Sequence, residues 1–408
     1  MNVMKIAFFV AEYQRAAGSQ RSLLSMIKNL PSKHEVVVIF PADGPCPVFY
    51  RHEQVPSVIL KAPAALNIFQ KQLLRTGFIK KMVLFLRYVV PYSVQVHRFL
   101  RKNEIKILHC NSPRALLLSA VVPKLMGIKI VLHIRGNGSE TGGVLSLLSR
   151  LIADKIILVA EQLKQNISTR ILPKIHVVYN SIGDMELPER KFEYGNRGFE
   201  RENAIFLMLA SVVPFKSYHH VLEAMRIVQE RKGKVILYAA GDVVDQEYYQ
   251  YIKGLIADYG LEEAFSFLGW VESPGKLYRS AEAIVMPSVE KGEIKIKGKT
   301  ISFTGNEGLP RVILEGMAFA KPVIATKVAG VPEQVVHMET GIMVPPGDPE
   351  ALAEAMLFLS RDRERRISMG RKGYERYREK FSPEVTASQV EKVYQGLLNV
   401  RGKGGVSR

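Results

Sequence analysis

The chain has 408 residues, 47% hydrophobic and 24% charged, the balance of a soluble globular protein with room for roughly two or three domains. Its 57 Lys+Arg against 39 Asp+Glu leave a formal charge of +18, a field that favours anionic partners. Two cysteines, Cys46 and Cys110, exclude a disulfide framework, and no stretch reaches the ~18 apolar residues of a spanning helix.

Ile6–Ala11 is too short for a signal-peptide core and stops at Glu12, so Met4–Val10 reads as a first strand in a cytoplasmic protein. Gly18 and Ser19 lead into a helix at Gln20–Asn29, with Gly18 allowing close backbone approach to a ligand. Further strands are expected at Glu35–Phe40, Ser57–Leu60, Ile105–His109, Lys129–Ile134, Lys155–Ala160 and His176–Tyr179. From Lys61 to Lys106 there are ten Lys/Arg and one acid, Glu104, interleaved with apolar residues such as Leu66, Phe69, Leu73, Phe78 and Leu86. That pattern resembles interfacial amphipathic helices and points to an anionic membrane surface; a helix pair with a basic outer face is the plainer alternative. His133 and Arg135 close the strand Lys129–Ile134, and Arg135 can balance phosphate or acceptor charge.

A polar stretch from Gly183 to Asn203 reads as a linker. A second series of strands follows at Ala204–Ala210, Val235–Ala240, Phe265–Leu268, Ala283–Met286, Pro322–Thr326 and Gly341–Val344. Lys291–Thr304, with lysines at 291, 295, 297 and 299, reads as an irregular insertion. The alternation of strands and helical patterns gives an α/β chain of two doubly wound parallel-sheet domains, with ligand expected in a cleft outside the carboxyl strand ends. The divisions are 1–183, a linker at 184–203, a second domain at 204–380, a helix at 381–400 and a tail at 401–408.

The most informative run lies between Glu307 and Glu315. Gly308 marks a turn, Pro310 suits a first helical turn, and the N–H groups of Leu309, Arg311 and Val312 make a seat for phosphate. Glu307 precedes that seat and Glu315 follows about two turns on. Two carboxylates flanking a diphosphate suit a ligand with hydroxyls at both ends, the shape of a nucleotide-sugar. An amphipathic helix carrying two solvated glutamates is the alternative. Lys216, on the loop after Phe206–Ala210, is a point charge suited to a phosphate.

From Glu307 through Lys321-Pro322-Val323-Ile324-Ala325 to the turns at Gly330, Gly341 and Pro345–Pro349, the chain resembles the donor-binding signature of retaining glycosyltransferases of the GT-B fold, family 4 (group 1). The Glu-x7-Glu pair is its hallmark. The resemblance implies two Rossmann-like domains facing each other across a cleft, with the final helix packing back on the first. It places Lys216 on the donor diphosphate, Glu307 on sugar hydroxyls and Glu315 on ribose hydroxyls. Gly241 would lie near the nucleoside, Trp270 in the turn that reads the base edge, and His133 close to the transferred sugar. Ala210 and Ser211 stand where the family commonly has an arginine, which leaves Arg311 to compensate. Glu161 and Asn180-Ser181 match family turns in part, and Glu290 rivals Glu307 but lacks the spacing to Glu315.

The expected catalytic residues are therefore His133, Lys216 and Glu307. The expected donor contacts are Gly18, Arg135, Lys216, Gly241, Trp270, Glu307, Gly308, Leu309, Arg311, Val312 and Glu315. No metal cluster and no cofactor beyond the nucleotide-sugar co-substrate are expected. The partners implied are a nucleotide-sugar, a saccharide or lipid-linked saccharide acceptor, and the inner face of the cell membrane, without nucleic acid. The activity implied is retaining hexosyl transfer in bacterial polysaccharide or lipopolysaccharide synthesis. A nucleotide-sugar 2-epimerase of the same fold and a non-catalytic membrane-binding scaffold are the rivals. A dinucleotide oxidoreductase fits poorly, because Gly136–Gly142 has one residue too many for the Gly-x-Gly-x-x-Gly fingerprint.

Overall fold

The computed structural model describes residues 3–14, 18–66, 82–136, 149–167, 169–183, 203–305 and 307–399. The centre of the basic segment, most of the glycine-bearing stretch 136–142, the bulk of the linker and the tail 401–408 lie outside them. The chain divides into two compact units, one comprising Met1–Gly183 with Pro383–Arg408 and the other Asp184–Ser382.

In the first unit, seven parallel strands form one sheet. They are β1 (Lys5–Phe9), β2 (Glu35–Phe40), β3 (Ser57–Ile59), β4 (Ile107–Cys110), β5 (Lys129–Ile134), β6 (Lys155–Leu158) and β7 (Ile175–Val177), in the order β3-β2-β1-β4-β5-β6-β7. Near-continuous apolar runs such as Val36-Val37-Val38-Ile39-Phe40 suit strands covered on both faces. The register sets Phe8 beside both Val38 and His109, and His109 beside Val131. β4 begins two residues later than the sequence pattern indicated. Ile105 N–H donates to Leu100 O at 2.9 Å and closes the preceding helix, so pairing starts only at Ile107. Helix Pro383–Asn399 belongs to this unit, and its Val390, Val393, Tyr394 and Leu397 share a core with Phe8, Leu23, Ile27 and Val38.

The second unit holds six parallel strands, β8 (Ala204–Leu209), β9 (Val235–Ala240), β10 (Phe265–Phe267), β11 (Ala283–Met286), β14 (Val323–Thr326) and β15 (Gly341–Val344), in the order β10-β9-β8-β11-β14-β15. β12 (Lys291–Ile296) and β13 (Lys299–Thr304) pair antiparallel as a separate hairpin. The insertion read as irregular is thus regular. Lys297 and Gly298 both take positive φ, 49° and 78°, which matches the two-residue turn that follows strand twist. Ile294 and Ile296 join the core while the four lysines stay exposed, a period-2 pattern. Aspartates cap the long helices: Asp245 accepts from Tyr248 N–H, Asp348 from Ala351 N–H and Asp362 from Arg365 N–H, at 2.8–2.9 Å.

Among the described residues no helix is long and apolar enough to cross a membrane. In the described end of the basic segment, Met82, Val83 and Leu86 are exposed beside Arg87.

Candidate active site

Both units put their distinctive residues just beyond the carboxyl ends of parallel strands, where doubly wound sheets bind ligands. In the second unit, β8 runs into a short turn at Pro214–Lys216, and β11 runs into Pro287–Glu290. Val289 N–H donates to Phe215 O at 2.8 Å and ties the two loops together. On this frame Lys216 Nζ pairs with Glu307 Oε1, and Ser288 Oγ donates to the same oxygen at 2.9 Å. The pair is mostly buried, with side-chain exposures of 20% and 11%. Ser217, directly after Lys216, sits in the left-handed region at φ 56° and is fully buried. A β-carbon-bearing residue there costs roughly 1–3 kcal/mol of local strain, of the kind concentrated at functional sites.

The helix after Glu307 spans Arg311–Ala318. Pro310 is its N-cap rather than part of its first turn: its ψ of 121° keeps it extended, and Gln334 Nε2 donates to its carbonyl at 3.0 Å. Glu315 is therefore the fifth helical residue, little more than one turn in. Its carboxylate accepts from Arg311 Nη2 at 3.0 Å and from Tyr278 Oη at 2.7 Å. Tyr278 is fully buried, and burial beside the Glu315 charge pushes its phenol well above the usual tyrosine range. It stays a neutral donor.

Gly308 and Leu309 are buried, and Gly330 N–H donates to Gly308 O at 2.9 Å. Glu290 has a different task from Glu307. Its Oε1 accepts from Ala329 N–H at 3.2 Å and its carbonyl from Gly305 N–H at 2.6 Å, so it braces the loops around the hairpin. Gly241 follows β9, and its N–H donates to Gly269 O at 2.8 Å, joining the turn before Trp270. A β-carbon at Gly241 would lie 2.0 Å from Ala210 O. Trp270 itself is 58% exposed.

In the first unit, Gly18 opens the helix Gly18–Lys28 at the surface. His133 and Arg135 lie at and beyond the end of β5 and are brought together, with Arg135 Nη2 3.2 Å from His133 Nδ1. Arg135 also donates to Asn111 Oδ1 at 2.7 Å and Asn180 Oδ1 at 2.6 Å, spanning the ends of β4, β5 and β7. His109 on β4 places Nε2 3.1 Å from His133 Nδ1, and its own Nδ1 lies 2.7 Å from Tyr394 Oη. Burial, together with the Arg135 charge, holds His109 down to about 3 and His133 well below the ordinary histidine value. Both rings are neutral at physiological pH.

Sequence reasoning missed Ser288, Tyr278, His109, Asn111 and Tyr394. Ser288 lies two residues before Glu290, and His109 ended an expected strand. Nothing local marks Tyr278 or Tyr394, which reach their partners from 37 and 285 residues away.

Two Rossmann-like parallel-sheet units, one with a Glu-x7-Glu helix entering at its strand ends, define a glycosyltransferase of the GT-B class. The crystal structure of Anabaena Alr3699/HepE in complex with UDP shares the fold at a TM-score of 0.76 and 18% identity, over 96% of this chain and 100% of that one. The chain belongs to glycosyltransferase family 4, group 1: residues 16–184 match the glycosyltransferase family 4 model and residues 190–376 that of glycosyl transferases group 1. Among its relatives, the N-acetyl-alpha-D-glucosaminyl L-malate synthase of Bacillus anthracis is 26% identical over 76% of this chain and 80% of its own length. The capsular polysaccharide biosynthesis glycosyltransferase CapM of Staphylococcus aureus is 24% identical over 91% and 93%.

Proposed function

We propose that the protein transfers a hexose from a nucleotide-sugar to a saccharide or lipid-linked saccharide, with retention of configuration, in the synthesis of a bacterial envelope polysaccharide. The observation that carries this reading is the Lys216–Glu307–Ser288 cluster set directly before a helix whose Glu315 is held by Arg311 and Tyr278. A donor diphosphate entering there takes Lys216 and the N-terminus of the helix as its counter-charges, stabilising the departing phosphate by preorganised electrostatics. Glu307, released from Lys216, accepts hydrogen bonds from sugar hydroxyls, and Glu315 accepts from the ribose.

The bond from the anomeric carbon to the phosphate oxygen breaks, and the acceptor oxygen forms its new bond on the same face. The acceptor's proton passes to the leaving phosphate, so no protein nucleophile is required. A UDP-linked hexose is the favoured donor, because Alr3699/HepE has been captured with UDP, with UDP and glucose, and with UDP-glucose. The exposed Met82, Val83 and Leu86 beside Arg87, with the overall basic charge, suit an acceptor presented at an anionic membrane surface.

The deciding experiment is a thermal-shift panel of UDP, GDP, ADP, TDP, CMP and NAD on the purified chain. A ligand that binds only the folded state raises its melting temperature. UDP is expected to do so and NAD is not. A folded sample that responds to no nucleoside diphosphate would overturn the transferase reading.

A further inference from the structure

The buried hydrogen-bonded chain that ends at His133 admits one placement of protons. A guanidinium has no acceptor atom, so the contact from Arg135 Nη2 requires His133 Nδ1 to be unprotonated. His133 is neutral and therefore carries its hydrogen on Nε2. His109 Nε2 approaches the same Nδ1 and must donate to it. That leaves His109 Nδ1 as an acceptor, and the Tyr394 hydroxyl 2.7 Å away must be its donor. Every contact in the run Tyr394–His109–His133–Arg135 pairs a donor with an acceptor in this assignment, the single lone pair of His133 Nδ1 being shared between donors at 3.1 and 3.2 Å. Reversing any one proton sets two acceptors or two donors face to face.

The free end of the run is the informative part. His133 is 2% exposed, and its Nε2 is buried without a hydrogen-bond partner among the described residues. A buried donor left unpaired is unfavourable, and a bound ligand oxygen removes that cost. Tyr394 comes from the helix Pro383–Asn399, so the distal end of the chain acts on a strand-end histidine in the same unit.

We propose that Tyr394 and His109 are positioning residues that, with Arg135, present His133 as a fixed Nε2–H donor to an oxygen of the sugar substrate. The inference rests on the transferase reading for the identity of that substrate, but the proton order stands on the geometry alone. His133 then acts by hydrogen bonding and not as an acid or base, since its other nitrogen is already occupied.

Two measurements on the full chain test it. Long-range proton–nitrogen NMR of the histidine rings, without ligand, should show His133 as the Nε2–H tautomer throughout the range of about pH 8 to pH 5. In Tyr394→Phe, His109 loses the donor to its Nδ1 and should become a tautomeric mixture whose unprotonated Nε2 pushes against His133 Nδ1. His133 itself should keep the Nε2–H tautomer that Arg135 imposes, with the circular dichroism spectrum unchanged. With UDP-glucose as the probe donor, Tyr394→Phe should lower kcat about tenfold with little change in KM, the size of one misplaced hydrogen bond. His109→Gln, whose amide can still donate to His133 Nδ1, should retain more activity than His109→Leu. An Nδ1–H tautomer of His133 in the wild type, or a His109 tautomer and kcat unmoved by Tyr394→Phe, would overturn the inference. Failure of every nucleoside diphosphate to bind would instead sink the transferase reading, and the NMR result would still decide the proton order.

Discussion

The two strand-end sites are built on nearly the same sheet and work with opposite materials. In the first unit, neutral groups are held by hydrogen bonds of 2.7–3.2 Å in a closed core, and one guanidinium orders them. In the second, carboxylates are held by Lys216 and Arg311 in pairs that retain some exposure. A locked neutral network can present a donor but cannot respond to charge. A partly solvated ion pair can be opened by a ligand that carries its own charge, since a lysine can exchange a carboxylate for a phosphate. One topology thus supplies a rigid face and an exchangeable one, and the chemistry of each is set by the few residues past its strand ends.

The sharpest way to break the contrast is to remove charge from the exchangeable face. Lys216→Ala and Glu307→Gln should each lower kcat by about 100- to 1,000-fold, the usual loss when one preorganised electrostatic partner of the leaving group or sugar is deleted. Circular dichroism must show both variants folded. Near-wild-type turnover in both would refute the assigned roles. Next in size is Gly241→Ala, which drives a methyl into Ala210 O and separates the turns that Gly241 and Gly269 join. It should cost about 1–3 kcal/mol in denaturant unfolding followed by Trp270, the only tryptophan and a resident of the second unit. Tyr278→Phe is subtler. It frees one oxygen of Glu315 and should weaken nucleoside diphosphate binding by about tenfold, while uracil, phosphate and pyrophosphate affinities stay level if Glu315 serves the ribose.

Much of this was legible in the sequence, and the pattern of what was not is physical. Strands β2, β5, β9, β11 and β15 fall on the residues their apolar runs indicated, because a buried parallel strand is a contiguous signal. β4 was displaced because Ile105 turns its N–H back to the preceding helix, a hydrogen-bonding choice that hydropathy does not carry. The hairpin β12–β13 was missed although Ile294, Ile296, Ile301 and Phe303 alternate with polar residues, because four lysines masked the period. At the site, Glu307 and Glu315 were marked by their spacing and Lys216 by its place on the loop after a strand. Their holders were not: Ser288 and Tyr278 act across 19 and 37 residues, and only the fold brings them in.

The smallest effect is the one that separates the two units most cleanly. His109 and His133 are fully buried in the first unit, whereas the second has one comparably depressed histidine, His219, held down to about 3 by burial. A histidine kept neutral in the fold takes up a proton freely once the chain unfolds. Its contribution to stability is therefore intact above the ordinary value of 6.5 and is lost as pH falls from there towards about 3. Each such group tilts unfolding free energy by at most ~1.4 kcal/mol per pH unit in that window. With two against one, acid should unfold the first unit ahead of the second, so that far-ultraviolet circular dichroism loses amplitude before Trp270 fluorescence responds. His109→Gln should flatten the pH slope of the first transition by about one proton's worth and leave the second unchanged. Coincident transitions at every pH, or a slope indifferent to His109→Gln, would mean that the histidines titrate alike in the folded and unfolded chain, and the neutral face would lose its distinction from the charged one.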